Sequence, residues 1–405
     1  MSKYIVLALM IVLSGISSKV MSQRYVSRVF DEQESITDVT YATGETYLGI
    51  RRELQFDFHA PAGDTLSDRP LVITVFGGSF LVGNRRWIDM QAYADSLTSY
   101  GYTVASVDYR LGYNPVSGES LIRAAYRASQ DVNAAIRYFK ARHETYGIDT
   151  NHIYLLGNSA GSIASLTAAF LEEEERPAET YADHIHPDLQ CIDCNGNHQH
   201  HLSDVAGVIS HWGGLTEMHF IDRWNQTPVC FIHGQDDSTV PYDIGPAYNI
   251  DLLPVLYGSE YLSARLDSLD IYNELHLFEE EDHCFYLEKN QLRLKPDEFT
   301  QCLHITIDFL ARMNPAVKHP SLLPGAACSI DAKKELNLHP ELLLIPEKSD
   351  NANLYQILSP ETVVLREGKL AVVQDAIRIG HLPPGVYMLV LYDDQQRYYF
   401  PFDRK

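Results

Sequence analysis

Basic residues are scarce in this chain. Its 32 Lys and Arg face 54 Asp and Glu, a formal charge of −22. Nucleic-acid binding relies on basic patches that displace counterions from phosphates, so that class is excluded. Docking on an anionic membrane is disfavoured for the same reason, and a solvated acidic surface is the simplest reading. The acidic run Glu172 to Glu175 belongs to such a surface. Long hydrophobic runs are also missing. The apolar run Tyr4 to Leu13, behind Lys3, is too short to span a bilayer, and no later segment reads as a span. Internal repeats and low-complexity tracts are absent, and 45% apolar with 21% charged residues is the composition of a globular protein.

What is present begins at that N-terminus. A positive residue, a short apolar run and small residues around Val20-Met21-Ser22 have the layout of a secretory signal peptide over residues 1–22. The mature chain would start near Gln23, and the location would be secreted or cell-surface, with periplasmic as the alternative. No cysteine follows the run, so no lipoprotein attachment site is seen. Of six cysteines, Cys191 and Cys194 sit three apart in a polar stretch with His198, His200 and His201. In an exported protein a local disulfide ranks first there, ahead of free thiols and ahead of a metal. Cys230 reads as a buried free thiol, and the sequence assigns no pairing to Cys284, Cys302 and Cys328.

Apolar runs bounded by turn residues predict strands at Leu54–Phe58, Leu71–Phe76, Tyr102–Val107, Ile153–Leu156, Val205–Ser210, Val229–His233 and Tyr272–Phe278. Helical spacing predicts Trp87–Ser99, Leu121–His143, Ser162–Glu174 and Pro296–Met313. Strands alternating with helices imply an α/β domain over residues 23–314, with a mostly parallel sheet covered on both faces. Residues 176–204 have no clear period and read as a candidate cap insertion shaping the substrate pocket. Pro315, Pro320, Pro324 and Gly325 mark a linker over 315–329. From Ile330 only short runs appear: Leu342–Ile345, Thr362–Leu365, Leu370–Val373, Ile377–Ile379, Val386–Leu391 and Tyr398–Phe402. They predict a small all-β sandwich over 330–405.

Four parts of a nucleophilic site can be placed. Gly157-Asn158-Ser159-Ala160-Gly161 stands between an apolar strand and a helix, the context of a nucleophile elbow whose tight turn admits only small neighbours. A serine hydroxyl needs a histidine base, itself oriented by a carboxylate. Asp237 follows the strand Val229–His233, with Asp236 as runner-up. His283 follows the strand Tyr272–Phe278. The chain order Ser, Asp, His is the one this arrangement requires. Backbone N–H groups of Gly78 and Ser79, with Ala160, are the candidate oxyanion donors. Phe80 and Trp212 are candidate substrate contacts, Trp212 being weighed against a core position. Arg85-Arg86 could meet a carboxylate substrate, although a solvated pair is the simpler reading. Such chemistry needs no cofactor and no metal.

Residues from Leu54 to Met313 resemble the carboxylesterase and lipase branch of the α/β-hydrolases, closest to its bacterial feruloyl-esterase-like and acetyl-esterase-like members. The resemblance rests on Arg69-Pro70-Leu71-Val72, Phe76-Gly77-Gly78-Ser79-Phe80, Val107-Asp108-Tyr109-Arg110-Leu111, Asp131 with Ala135-Ile136-Arg137-Tyr138, Tyr146-Gly147-Ile148-Asp149, the elbow, His233 to Pro241, and His283. It implies the α/β-hydrolase fold and a serine carboxylesterase acting through an acyl-enzyme on acetyl, feruloyl or small lipid esters. A peptidase with the same triad and a non-catalytic binding protein are the alternatives. The chain departs from the family where His-Gly-Gly-Gly becomes Phe76-Gly77-Gly78-Ser79, so the loop's bracing must come from elsewhere. Ile379-Gly380-His381-Leu382-Pro383-Pro384-Gly385-Val386-Tyr387, followed by Met388 to Leu391, resembles the C-terminal sorting domain of type IX secretion cargo. Secretion machinery is the partner that this implies, and an accessory β-domain is the alternative.

Overall fold

The computed structural model describes residues 24–288, 292–314 and 317, and beyond these seven strands between residues 338 and 404. The expected signal peptide and nearly all of the expected linker lie outside the described residues. The chain divides into two units, Met1–Asn314 and Pro315–Lys405.

The first unit is built on one eight-stranded sheet. Its strands are β1 (Gln33–Glu45), β2 (Arg51–Pro61), β3 (Arg69–Val75), β4 (Thr103–Val107), β5 (Ile148–Asn158), β6 (Gly207–His211), β7 (Val229–Gly234) and, after the small hairpin β8 (Ile244–Pro246) and β9 (Val255–Tyr257), β10 (Asn273–Phe278). Their order is β1-β2-β4-β3-β5-β6-β7-β10. From β4 to β10 every neighbouring pair is parallel, while β1 and β2 pair antiparallel at one edge. Parallel strands need crossovers, and α1 (Ile88–Ser99), α2 (Gly118–Ala141), α3 (Ala160–Phe170) and α4 (Ser259–Ser268) supply most of them, while α5 (Pro296–Met313) follows the last strand of the sheet. Coverage on both faces explains why every residue of β3, β4, β6 and β7 is buried. The result is the α/β-hydrolase fold.

Several boundaries move from their expected places. The Ser117 hydroxyl accepts the Ser120 N–H and starts α2 three residues early. Helix α3 stops at Phe170, and a 3₁₀ turn holds Glu173–Glu175. Strand β1 is new. Residues Gln33 to Asp38 are all exposed and carry no apolar alternation, so nothing in the local sequence announces an edge strand there.

The segment 176–204 does not cap the substrate pocket as expected. It lies along α2 and covers that helix's polar face. Arg123 donates to the carbonyls of Glu179, Tyr181 and Pro187, Tyr126 Oη to that of Gln190, and Gln130 to those of Leu189 and Cys191. Helix α2 is therefore buried on its polar side as well. Cys191 and Cys194 form a disulfide within this segment, so neither sulfur is free to hold a metal. Cys230, Cys284 and Cys302 are free thiols.

In the second unit, β11 (Leu338–His339), β12 (Leu342–Leu344) and β15 (Ala376–Arg378) form one antiparallel sheet. A second has the order β14 (Val364–Lys369), β13 (Leu354–Leu358), β16 (Gly385–Tyr392), β17 (Arg397–Arg404). Strand β14 overlaps the one expected at Thr362–Leu365, the run expected at Leu370–Val373 lies outside the described residues, and β13 was not foreseen. Residues 379–384 of the sorting-domain motif lie outside the described residues.

Candidate active site

Four parallel strands deliver the candidate residues to one sheet edge, beyond their carboxyl ends. Ser159 follows β5 directly and takes φ 51°, ψ −123° as the residue before α3. That backbone is strained for serine. It is held because Ser159 N–H donates to the His211 carbonyl at 2.9 Å. The flanking glycines are obligatory here. A Cβ on Gly157 would stand 2.4 Å from the Gly161 carbonyl oxygen, and one on Gly161 would stand 2.1 Å from that of Val75.

The loops after β7 and β10 are clamped together. Asp236 N–H donates to the Glu281 carbonyl, and Ser238 donates through N–H and Oγ to Asp282. Gly234 permits the approach, since a Cβ there would lie 2.3 Å from Glu281 O. The clamp brings Ser159, His283 and Asp237 into line: His283 Nε2 is 2.8 Å from Ser159 Oγ, and His283 Nδ1 is 2.7 Å from Asp237 Oδ2. Asp236, the runner-up, is exposed and takes no part in that line.

Burial opposes the charge on Asp237, but His233 and His283 offset it and hold this carboxyl well below the usual range. Its Oδ1 also accepts the N–H groups of Thr239 and Val240 at 2.8 and 2.9 Å. For His283, burial works against the imidazolium, while the Cys284 sulfur and Asp237 favour it. The net shift is upward.

The loop Phe76–Phe80 turns through three successive left-handed residues, with φ of 108° at Gly78 and 58° at both Ser79 and Phe80. A Cβ on Gly78 would meet the Val82 carbonyl oxygen at 2.1 Å. Among the described residues, the N–H groups of Gly78, Ser79 and Ala160 donate to no other protein group. Gly78, Ser79 and Ser159 border one cavity of about 150 Å³, together with Asp89, Trp87, and His283. The bracing lost with the family's histidine comes from Tyr109. Its hydroxyl donates to the Phe76 carbonyl at 2.9 Å, and its ring stacks on Phe76 at 4.4 Å.

A second, apolar cavity of about 40 Å³ opens on Ser159 between Phe80, Leu121, Ile122, Ile163, Val240 and Leu256. Phe80 thus forms part of this cavity's wall. Trp212 is not a substrate contact. It is fully buried, packed at tilted and edge-on angles among His211, Phe285 and Tyr286, with its ring edge-on to His283 at 6.1 Å. Arg85 is buried against Asp38, Asp57 and Asp108, while Arg86 stays exposed and pairs with Asp38 and Asp57.

Three residues at the site carry no sequence signal of their own. His233 reaches Asp237 from behind. Tyr248 hydrogen-bonds the Ser79 hydroxyl. Asp89, fully buried on α1, accepts from Asn158 beside the nucleophile and from Tyr286 Oη, and burial raises its carboxyl to about 6.

Residues 56–226 match the family model BD-FAE. The chain is 34% identical over 113 residues to carboxylesterase 3B of Mus musculus, covering 27% of this chain and 19% of that protein. It is 31% identical over 102 residues to gut esterase 1 of Caenorhabditis elegans, covering 24% and 18%. The chain therefore spans about a fifth of the length of these curated relatives. Among solved structures, it resembles a truncated carbohydrate esterase from gut microbiota at 18% identity and a TM-score of 0.49, over 71% of this chain and 98% of that one. A thermophilic esterase of Thermogutta terrifontis with propionate bound matches at 17% identity and a TM-score of 0.47, over 68% and 94%. Sheet order, elbow and clamped loops give the unit ending at Asn314 the α/β-hydrolase fold, with Ser159, His283 and Asp237 in one hydrogen-bonded line.

Proposed function

We propose that this protein is a serine carboxylic-ester hydrolase that works through an acyl-enzyme on short acyl esters, acetyl foremost, of small or carbohydrate-linked alcohols. The observation that carries this reading is the unbroken line from Ser159 Oγ through His283 to Asp237, at 2.8 and 2.7 Å. His283 takes the Ser159 proton as Oγ attacks the ester carbonyl, and returns it to the leaving alcohol. Water then repeats the sequence on the acyl-enzyme. Asp237, acceptor-only when ionised, fixes the imidazole with hydrogen on Nδ1. The developing oxyanion meets the N–H groups of Gly78, Ser79 and Ala160.

The volumes favour acetyl over feruloyl. The narrow apolar pocket of about 40 Å³ suits a short acyl chain better than a bulky aromatic acid. The wider cavity of about 150 Å³, walled by Trp87, Ile88 and Leu287, suits the alcohol. We also propose export, directed by residues 1–22 and by recognition of the C-terminal β-module by secretion machinery. The Cys191–Cys194 disulfide supports an oxidising compartment.

The test is initial rates on nitrophenyl esters from acetate to decanoate, with acetylated xylan and methyl ferulate alongside. Wild type should be fastest on acetate, and Ser159→Ala should lose about 10³-fold or more while keeping its fold. Full activity in Ser159→Ala would reject the triad. A decanoate optimum would reject the short-acyl pocket. Cleavage of peptide anilides without any ester rate would point to a peptidase.

A further inference from the structure

A third cavity, of about 310 Å³, lies between the β1–β2 turn, helix α2 and the segment carrying the disulfide. It shares no lining residue with either cavity at Ser159. Its volume is at the lower end of the ~300–1,000 Å³ typical of ligand sites.

Three arginines line it, each at least nine-tenths buried: Arg110, Arg123 and Arg127. Arg110 is neutralised by Asp131 at 2.8 Å. The other two have no carboxylate in contact, although Asp183, Glu119 and Asp188 act on Arg123 from farther off and Asp131 acts on Arg127. Arg123 donates only to backbone carbonyls. Arg127 donates through Nη2 to the Gly112 carbonyl at 2.7 Å, and its buried Nε has no partner. Among the described residues, no carboxylate lies within 4.0 Å of either guanidinium. Of the carboxylates at the cavity wall, Asp188 is held by Arg176 at 2.6 Å, and Glu45 stands exposed at the rim.

A buried charge without a counter-ion costs several kcal/mol. In a chain where acids outnumber bases 54 to 32, partners were not in short supply. Burial, then the like charges of Arg110 and Arg123, pulls Arg127 down to about 10, with Asp131 only partly opposing the shift. A guanidinium fork matches the two oxygens of a carboxylate or phosphate.

We propose that this cavity is a binding site for a small oxyanion, a carboxylate or a phosphate, held by the guanidinium groups of Arg123 and Arg127. The site is separate from the ester chemistry and does not rest on it. Occupancy would complete the charge balance between α2 and the segment that covers it, so the ligand should stabilise the folded chain.

The experiment is calorimetric titration of the full-length protein with inorganic phosphate and with glucuronate at constant ionic strength, with glucose as the neutral control. Thermal unfolding is followed in parallel. Saturable one-to-one binding of phosphate, glucuronate or both is expected, with a rise in unfolding midpoint of about 2–4 °C near saturation. The stronger of the two identifies phosphate or carboxylate as the ligand chemistry. Arg127→Met should weaken binding at least tenfold while circular dichroism shows a folded chain. Arg127→Lys, which keeps the charge but loses the fork, should weaken it less and covers the case of a misfolded Met variant. No saturable binding, equal binding of glucose, or unchanged affinity in both variants would overturn the proposal.

Discussion

His233 Nε2 lies 3.2 Å from Oδ2 of Asp237, the same oxygen that meets His283 Nδ1 at 2.7 Å. The other ring nitrogen of His233 faces Ser259 Oγ at 2.7 Å, and Nε2 also faces the Val240 carbonyl at 3.0 Å. A carbonyl and a carboxylate can only accept, so the hydrogen sits on Nε2, and Ser259 donates to Nδ1. His233 therefore steadies the carboxylate that steadies the base. His233→Leu should lower kcat about 10–100-fold, the cost of losing one hydrogen bond to a charged group. His233→Gln, which can keep an N–H near the same place, should recover most of the loss. Steady-state kinetics decides it, and equal rates for Leu and wild type would rule out the role.

The pH profile carries a sign. His283 acts as a base only when neutral, and its surroundings raise its proton affinity. The acidic limb of kcat/KM should therefore have its midpoint above the ordinary imidazole value of about 6.5, activity rising with pH through it. The adjacent Cys284 sulfur contributes to that rise. Cys284→Ser should move the midpoint down. A wild-type limb at or below about 6.5, or no movement in the variant, would contradict this account.

Tyr109 replaces the missing loop histidine. Its hydroxyl donates to the carbonyls of Phe76 and, at 3.4 Å, Gly77. Tyr109→Phe should leave the stacked ring in place but loosen the strained turn at Gly78 and Ser79. The expected result is a fall in kcat of about tenfold, with KM little changed, because the oxyanion donors act mainly in the transition state. A rise in KM with kcat intact would instead place Tyr109 in substrate binding.

Asp89 should make stability fall as pH rises. Its proton is lost near about 3.9 in the unfolded chain and only near about 6 in the folded one, where burial disfavours the charge. Between about pH 4 and pH 6 the unfolded state therefore binds fewer protons, and stability should drop by about 2–3 kcal/mol across that window. Asp89→Asn should remove this slope. Urea midpoints of both proteins at pH 4, 5, 6 and 7 test it, and parallel curves would reject the assignment.

Much of the site was legible because its parts have local causes. The elbow needs glycines where backbones nearly touch, so Gly157 and Gly161 mark Ser159. Asp237 and His283 follow short apolar strands, and a parallel sheet sends all such strand ends to one edge. The accessory residues were not legible. His233 lies at the end of β7, where it reads as strand, and Tyr109 sits in a stretch that the resemblance already explained. Arg123 and Arg127 lie on what reads as the solvated side of an amphipathic helix. Strand β1 has no alternation, because it is an exposed edge.

The sequence by itself determined the alternation of buried strands and helices, the candidate nucleophile, acid and base, and the scarcity of positive charge. These follow from short-range rules, namely apolar periodicity, turn sterics and chain order. Only the tertiary structure decided that Trp212 is core, that Tyr109 braces the oxyanion loop, that His233 backs Asp237, and that residues 176–204 cover α2 instead of the pocket. Each depends on contacts between residues far apart in the chain, and no local pattern encodes which distant backbone will arrive to satisfy a buried polar group.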